Sequence, residues 1–282
     1  MAHPQPHGAR RARRRWLRFP ALATLLTLLG GCIGWPPPRV LPTAVVIAPP
    51  TVPSSDNGWE TLAPGLERRV YRPGGVNSLT SFLAVRIDPA LYALRAHYQP
   101  GQPLTASQWQ AALPGAAVFV NANFFNAENQ ILGLLVADGI AHGQSFAGFG
   151  GMAQVQGGVP RVRSLIAEPY FGEPLEQAVQ AFPMLMLNGE PTFERTDGDR
   201  PSRRTIVGQD RAGRIVLITT NSLIGMRLAD LGAYLASTDL DLLHTLNLDG
   251  GGSTMMTITT GAPQIVPSFD PVPAVLAVYP KG

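Results

Sequence analysis

The nine-residue stretch Leu246–Thr254, with the sequence LNLDGGGST, carries the strongest chemical signal in the chain. Asn247 and Asp249 alternate with leucines, so on a β-strand both polar side chains point to one face while the leucines pack inward. The strand would therefore present an amide and a carboxylate together, at the point where three glycines begin. A glycine-rich turn between strands is the alternative, but such a turn needs only an Asp-Gly pair.

The three glycines that follow are Gly250, Gly251 and Gly252. Because they lack side chains, the backbone can approach a ligand with its N–H groups uncovered. Successive N–H groups of this kind form a concavity that binds anions. A carboxylate beside a bound anion is repelled by it, so the position of Asp249 implies a chemical role. The stretch thus predicts an anion site that is flanked by Asp249 and Ser253.

A second candidate is the segment Ser202–Thr205, which stands immediately before an apolar strand. An arginine at the entrance of a strand, here Arg204, can present a planar bidentate fork to phosphate oxygens. The hydroxyl of Thr205 follows it directly. A pair of solvated arginines on a turn opened by Pro201 would explain the same residues, so the segment alone does not decide.

A third candidate is Asn121–Phe125, where Asn121 and Asn123 fall on one face of a strand end. Amides bond to hydroxyl groups, and the rings of Phe124 and Phe125 can stack on the apolar faces of a sugar. An Asx turn over a pair of core phenylalanines is the alternative interpretation.

Short apolar-polar runs separated by turn signals must position these segments. They predict an α+β fold, a single domain with a mixed, strand-rich sheet and a few helices. The predicted helices are Ala106–Leu113, with Thr105 as its cap, and Leu228–Ala236. The predicted strands are Ser81–Ile87, Leu91–His97, Ala116–Val120, Leu132–Ala137, Met152–Gln156, Met184–Leu187, Thr205–Gln209, Arg214–Thr220, Leu242–Leu248 and Pro273–Tyr279.

The first 58 residues predict export and anchoring. Residues 1–31 contain six arginines, no acid and an apolar run too short to span a bilayer, as in a signal peptide. Cys32, the single cysteine, ends a segment that resembles a bacterial lipobox and predicts lipidation, with an incidental thiol as the alternative. Residues 32–58 are proline-rich and predict a stiff tether, so residues 59–282 would form the folded domain at the outer face of the membrane or in the periplasm.

The body of the chain excludes several classes of function. Removing the six leader arginines from 22 basic residues leaves 16 against 19 acidic ones, and this balance argues against a nucleic-acid partner. The histidines show no paired metal spacing, and no G-x-S-x-G elbow is present. We expect no cofactor and no metal site, with a structural or activating divalent cation left open. The acid pair Asp197 and Asp199 predicts a solvated turn.

Taken together, the three candidate segments resemble the phosphodiester glycosidase family, over roughly residues 62–279. The family's segments look like N-x-x-F-F, R-T-x-x-G and N-L-D-G-G-G-S, with two further landmarks between the first and the second. Ile206 departs from the small residue that the family usually has beside Arg204. In this chain the segments stand as Asn121–Phe125, Gly133–Gly139, Phe182–Gly189, Arg204–Gly208 and Asn247–Ser253.

The resemblance implies an enzyme that breaks the bond between sugar C1 and oxygen and releases a phosphomonoester. A phosphate monoester leaves readily, so stabilising its charge matters more than general-acid help, and Arg204 and the glycine N–H groups would supply it. Asp249 is expected to act as base or nucleophile at the oxocarbenium-like centre. The residues expected to orient sugar and phosphate are Asn121, Asn123, Thr205, Asn247, Gly250, Gly251, Gly252 and Ser253.

Three other readings stay open at this level. A surface protein that only binds phosphoglycans would use Arg204 and the glycines equally well, and Asp249 alone argues for turnover. Metal-dependent cleavage of the P–O bond would need a second carboxylate cluster beside Asp249 and Asn247. A purely structural lipoprotein would leave the glycine stretch unexplained. In the enzyme reading the partners are a sugar-phosphate or phosphoglycan substrate and, through the lipid anchor only, the membrane.

Overall fold

The computed structural model describes residues 58–75 and 78–282. The predicted signal peptide, Cys32 and all but the last residue of the predicted tether lie outside the described residues. The helices are α1 (Ala106–Ala112) and α2 (Leu228–Ala236). The strands are β1 (Glu60–Ala63), β2 (Leu66–Tyr71), β3 (Phe82–Ile87), β4 (Tyr92–Tyr98), β5 (Val118–Asn121), β6 (Leu134–Ala137), β7 (Ile140–Gly143), β8 (Gly151–Gln156), β9 (Val159–Ser164), β10 (Gln177–Ala181), β11 (Met184–Leu187), β12 (Glu190–Pro191), β13 (Thr205–Asp210), β14 (Ile215–Thr220), β15 (Leu242–Asn247), β16 (Met256–Ile258), β17 (Gln264–Val266) and β18 (Ala274–Pro280).

The strands form three sheets. One has eight strands in the order β1-β2-β3-β14-β13-β15-β11-β12, and two have five strands, ordered β7-β6-β10-β8-β9 and β17-β16-β5-β18-β4. The predicted strand-rich character is confirmed, but the described chain is mainly β. The prediction of one mixed sheet is wrong, since every strand pair in the described ranges is antiparallel. Short turns such as the one between β13 and β14 can join only antiparallel neighbours.

Strand β3 shows how the alternation of side chains builds two cores. Leu83 and Val85 point into the large apolar cluster that also takes residues from the other sheets. Phe82 and Ala84 point to the opposite face and pack with Leu231 of α2. Successive strand residues face opposite sides of a sheet, and here both sides are covered. This explains why β3 reads as a nearly continuous apolar run.

The two helices begin in different ways. Thr105 caps α1 as predicted, with its side chain and that of Gln108 forming a capping box. In α2 the capping residue Arg227 makes no side-chain cap, and the carboxylate of Asp199 accepts instead from the N–H groups of Leu228 (2.8 Å) and Ala229 (3.1 Å). Asp199 is thus a buried helix cap, not the solvated turn residue predicted from the sequence.

Neither helix of the described residues is long and apolar enough to cross a membrane. The helices serve instead to cover sheet faces. Trp109 of α1 is buried and its indole N–H donates to the carbonyl of Val272 at 3.0 Å, next to the start of β18. The elements that matter for the candidate site are β5, β13 and β15, whose ends meet where two sheets adjoin.

Candidate active site

The three segments singled out in the sequence meet at the side chain of Asn121. Its Nδ2 donates to the carbonyl of Asp249 at 2.6 Å. Its Oδ1 accepts from the hydroxyl of Thr205 at 2.7 Å and from the N–H of Met255 at 3.0 Å. Asn121 is 1% exposed and Thr205 is fully buried. Both side chains therefore lie beneath the glycine loop and hold it, which leaves them no free group for direct contact with a ligand.

The backbone of the loop is also tied to neighbouring strands. The N–H of Leu248 donates to the carbonyl of Thr205 at 2.8 Å, and that of Asp249 to the carbonyl of Ala122 at 3.0 Å. Across the sheet, Asn247 is paired with Ile206 of β13. Asp249 is accordingly presented from a rigid strand end, as precise chemistry requires.

A side chain at each of the three glycine positions would meet a different constraint. A side chain on Gly250 would lie 2.8 Å from the carbonyl oxygen of Arg203, and Gly251 has a φ of +64°. A side chain on Gly252 would collide with the carboxylate of Asp270. The backbone contact and the positive φ require glycine at positions 250 and 251, whereas at position 252 the exposed side chain of Asp270 can move aside.

The predicted anion cradle is only partly available. The N–H of Gly250 donates to Oδ1 of Asp249 at 2.8 Å, and the N–H of Gly251 donates to the carbonyl of Arg203 at the same distance. Two of the three N–H groups expected to face an anion are therefore used within the protein. The glycines shape the loop more than they bind through it.

The carboxyl group of Asp249 has a raised pKa. Burial raises the pKa of its carboxyl from the ordinary 3.8 to about 6. Hydrogen bonds from Ser253 and from the N–H of Gly250 work in the opposite direction, and the negative charge of Asp270 adds to the rise. Ser253 is buried and contacts Asp249, so it tunes the carboxylate instead of facing the solvent.

A cleft of about 360 Å³ opens above this carboxylate. Predicted residues that line it are Asn247, Arg204, Gly250 and Gly251, together with Asp249 itself. Its other lining residues are Phe124, Phe182, Pro183, Ser202 and Leu228. A larger cavity of about 710 Å³ lies elsewhere, beside Arg95, Asp138 and Tyr279. We take the smaller cleft as the site, because the polar groups of the motifs converge there and a perturbed carboxylate marks functional clefts.

Arg204 is fixed at the wall of the cleft. Its Nε donates to the carbonyl of Met226 at 3.2 Å, its Nη2 donates to the carbonyl of Arg200 at 2.7 Å, and Asp199 lies 3.5 Å away. Burial lowers the pKa of this guanidinium and the charge of Asp199 opposes that effect, but an arginine stays protonated in proteins. The lining of the cleft therefore contains one positive residue in addition to Asp249.

The other two predicted asparagines, Asn247 and Asn123, differ in their position relative to the cleft. Asn247 donates from Nδ2 to the carbonyl of Phe182 at 2.9 Å, and its buried Oδ1 has no partner in the described part of the chain. Asn247 lines the cleft, but this oxygen lies beneath the surface of the cleft and is closed off from solvent. Asn123 donates to the carbonyls of Leu134 and Gln180, both at 3.1 Å, and lies outside the cleft lining.

Two flanking groups escaped the sequence analysis. Asp270 is exposed, follows β17 and touches Gly252, and it belongs to none of the sequence motifs. Arg203 is 6% exposed, stacks over the ring of Phe269 at 4.7 Å, and its Nε and Nη1 find no partner among residues 58–75 and 78–282. Asp270 sits between prolines in what reads as a turn, and Arg203 reads as half of a solvated pair. No sequence pattern would have distinguished them.

Within the described residues, His, Cys, Asp and Glu do not gather in groups of three or more that could hold a metal ion. The site as it stands offers a carboxylate, a guanidinium, amide groups and aromatic rings. These groups can bind a phosphorylated sugar and take part in acid-base or nucleophilic chemistry at one carbon centre.

Comparison with known proteins agrees with this geometry. The fold is similar to the catalytic domain of zebrafish N-acetylglucosamine-1-phosphodiester alpha-N-acetylglucosaminidase, auto-inhibited by its pro-peptide, with a TM-score of 0.63 and 19% identity over 79% of this chain and 86% of that one. It is also similar to a hypothetical protein from Synechocystis (TM-score 0.53, 16% identity, 77% of this chain and 62% of that one). A Burkholderia pseudomallei protein described as exported gives a TM-score of 0.53 and 14% identity, over 71% and 74%.

At these identities the likenesses establish the fold alone. No curated protein matches the chain. The family model is more informative, since it matches residues 114–279, more than half of the chain and all three candidate segments. The chain therefore belongs to the phosphodiester glycosidase family.

Proposed function

We propose that this protein hydrolyses a sugar-1-phosphodiester at the C1–O bond and releases a free sugar, N-acetylglucosamine in the first instance, and a phosphomonoester. One observation carries the proposal: Asp249, with its raised pKa, lines the same cleft as Arg204. The family supports phosphodiester glycosidase activity in general. The sugar and the exact linkage are part of the proposal.

In the proposed step the bond between C1 and the phosphate oxygen breaks, and both electrons leave with the phosphate. Arg204 binds the phosphate and stabilises the charge that develops on it. Asp249, which is largely ionised at neutral pH, either attacks C1 or takes a proton from the attacking water. Where Asp249 attacks C1, water then cleaves the bond between C1 and the carboxylate, and otherwise water attacks C1 directly. In both cases water supplies the hydroxyl group of the free sugar, and the products are the sugar and a phosphomonoester.

Supporting groups surround this centre. Asn247 lines the cleft and would help to orient the sugar. Asn121 and Thr205 act by positioning the loop, as their hydrogen bonds indicate. The proposal uses no cofactor.

A protein that binds phosphoglycans without turnover is the second candidate, since the same cleft with Arg204 would serve it. The deciding experiment offers esters of N-acetylglucosamine 1-phosphate to the full-length protein and to Asp249→Asn, with and without a chelator. We expect sugar and phosphomonoester from the wild type alone, at a rate that the chelator does not change. Saturable binding without turnover, abolished by Arg204→Ala, would instead establish the binding function.

We further propose that the protein is exported and held at the outer face of the membrane by lipidated Cys32. The apolar run that ends at this cysteine supports the proposal, as does the similar fold of a protein described as exported. In that place the enzyme would act on cell-surface or extracellular glycan.

A further inference from the structure

A short segment between β17 and β18, which we call the strap, lies on the glycine loop and consists of residues Pro267–Asp270. The N–H groups of Phe269 (2.7 Å) and Asp270 (3.1 Å) both donate to the carbonyl of Gly252. The carboxylate of Asp270 lies against the same glycine, where a side chain at that position would meet it. The strap is therefore docked on the loop that begins at Asp249, although none of its residues lines the cleft.

The side chain of Arg203 holds the strap through two contacts. Its Nη2 donates to the carbonyl of Pro267 at 2.9 Å, and its guanidinium lies over the ring of Phe269, 4.7 Å from the ring centroid. A cation over an aromatic face is attracted by the quadrupole of the ring. Because Phe269 is 64% exposed, burial fixes its ring only weakly, and the guanidinium is the contact that orients it.

The burial of Arg203 is not explained by stability. The residue is 6% exposed, and burial lowers the pKa of its guanidinium. Its Nε and Nη1 are buried without a partner among residues 58–75 and 78–282. Unpaired donors on a buried charged group reduce stability, and an apolar side chain of similar volume often replaces such a group without loss. An arginine at this position therefore implies a task other than holding the fold together.

The charged residues around Asp249 come from three segments. Arg204 lines the cleft, and Asp199 lies 3.5 Å from its guanidinium. Asp270 belongs to the strap, and its negative charge raises the pKa of Asp249. Arg203 meets the glycine loop through its backbone carbonyl, which accepts from a glycine N–H at 2.8 Å. A substitution of its side chain leaves that contact in place and acts on the strap.

We infer that Arg203 is a positioning residue of the active site: it holds the strap in place and thereby keeps the carboxylate of Asp270 beside Gly252, where its charge acts on Asp249. The inference rests on the proposed function and adds to it a device, outside the cleft, that sets the pH range of the reaction. Without the side chain of Arg203, the exposed carboxylate of Asp270 turns into solvent, and Asp249 loses its negative neighbour.

The sign of the effect distinguishes this role from a direct one. Removal of a nearby cation disfavours the ionised form of Asp249 and raises its pKa, whereas displacement of Asp270 lowers that pKa. Arg203→Met removes both the cation and its hold on the strap at nearly constant volume. Phe269→Ala removes the ring that the guanidinium holds and leaves every charge in place. If Arg203 acts through the strap, both variants lower the pKa of Asp249.

The first measurement is the pH profile of kcat/KM, with an ester of N-acetylglucosamine 1-phosphate and the full-length protein. We expect Arg203→Met and Phe269→Ala each to move the midpoint below about 6, the pKa of Asp249 in the wild type. At pH 5, kcat/KM as a fraction of its value at pH 8 should then rise about twofold, because more of the carboxylate is ionised.

Three further variants serve as controls. Phe269→Tyr keeps the aromatic ring and should keep the midpoint. Phe171→Ala should also keep it, since Phe171 is 88% exposed and lies outside the strap. In protein that already carries Asp270→Asn, Arg203→Met should cause no further change, because two residues that act through one path are not additive.

A midpoint that rises in Arg203→Met would overturn the inference, since the guanidinium would then act by its own charge. A midpoint that neither variant moves would overturn it as well, because Arg203 would then serve the fold alone. Titration of the Asp249 carboxyl by carbon-13 NMR, assigned with Asp249→Asn, measures the same pKa without substrate. If no ester is turned over, the proposed function fails, and this titration still decides whether Arg203 and Phe269 set the pKa.

Discussion

At the scale of single residues, the site depends on a carboxylate that the fold makes harder to ionise. Burial of Asp249 raises its pKa, and the proposed reaction needs the ionised form. This one side chain therefore links pH, activity and stability, and each link can be measured separately.

The first prediction concerns the pH dependence of turnover. kcat/KM should rise with pH through about 6, the pKa of Asp249, and then level off. Because the charge of Asp270 raises this pKa, Asp270→Asn should move the midpoint to lower pH. Asp239→Asn, at an acid that pairs with Arg69 and lies outside the cleft lining, is the control and should leave the midpoint in place. A midpoint near 4 in the wild type would contradict the assignment of Asp249.

The second prediction concerns stability. Below about pH 3 the carboxyl of Asp249 is protonated in both folded and unfolded chains, and its burial costs little. As pH rises through about 6, the group becomes ionised in the folded state, and the stability that its raised pKa had contributed is lost. Asp249→Asn removes this penalty and keeps an acceptor for the N–H of Gly250.

We therefore expect Asp249→Asn to be more stable than the wild type by about 1–2 kcal/mol at pH 7.5, since the shift of roughly two units sets a ceiling of about 3 kcal/mol and the group is partly solvated. At pH 3 the difference should vanish. Denaturant unfolding at the two pH values measures it, and an equal difference at both would show that ionisation is not the cause.

Alternation along a strand predicted Asn247 and Asp249 on one face, because it is a local property, whereas Arg204 joined them only through the resemblance to the family. It could not assign Asn121 and Thr205 to positions beneath the loop. Both have the chemical type of a ligand-binding residue, and only the packing of two sheets decides which polar groups stay accessible. Asp270 could not be predicted as a site residue for the same reason, since it lies in a separate turn and contacts Gly252 only in the folded chain.

At the scale of elements, Asp199 shows how a helix and the site are joined. Its carboxylate caps α2 and lies 3.5 Å from the guanidinium of Arg204. The sequence predicted α2 from its apolar spacing, yet it gave no sign that the cap lies 29 residues before the start of the helix. Boundaries and caps that use distant residues are invisible to local patterns.

The third prediction follows from this double contact. Asp199→Ala should lower the free energy of unfolding by about 1–3 kcal/mol, because it removes the helix cap and leaves buried groups unpaired. It should also lower kcat/KM, because Arg204 loses one of the groups that hold it. Asp197→Ala, at the exposed acid two residues earlier, is the matched control and should change neither quantity. A stability loss without any change in kcat/KM would separate Asp199 from the site.

The order of strands in a sheet is likewise not visible in local sequence patterns. Alternation predicted most strands of the body, but the order of the eight-stranded sheet places β15 between β13 and β11. Ile206 and Asn247, which pair in that sheet, are far apart in the sequence. Such pairings depend on which apolar faces fit together, and a single sequence does not state them.

At the scale of the whole molecule, the site exists only where two sheets adjoin. Asn121 ends a strand of one sheet and bonds to Thr205, which begins a strand of another, and to the backbone of Asp249. Folding and site assembly are therefore coupled through one amide. No region of the chain could form the site alone.

The fourth prediction tests this coupling. Asn121→Ala should lower the free energy of unfolding by about 2–3 kcal/mol, because it leaves the Thr205 hydroxyl and the Met255 N–H buried without partners. It should reduce kcat/KM at the same time, at temperatures where the variant is still folded. Asn126→Ala, at an asparagine whose carbonyl bonds only to its own turn, is the control. Full activity in a destabilised Asn121→Ala would show that the loop keeps its position without this amide.

The fifth prediction concerns where the molecule acts. The basic leader and the mildly acidic body have opposite net charge, so the body itself has little attraction to an anionic membrane surface. We therefore expect membrane association to come from lipid on Cys32. In bacterial cells Cys32→Ser should move the protein from the membrane fraction to the soluble extracytoplasmic fraction, while its turnover of the soluble substrate stays as in the wild type. A Cys32→Ser protein that remains with the membrane at high salt would mean that another segment anchors it.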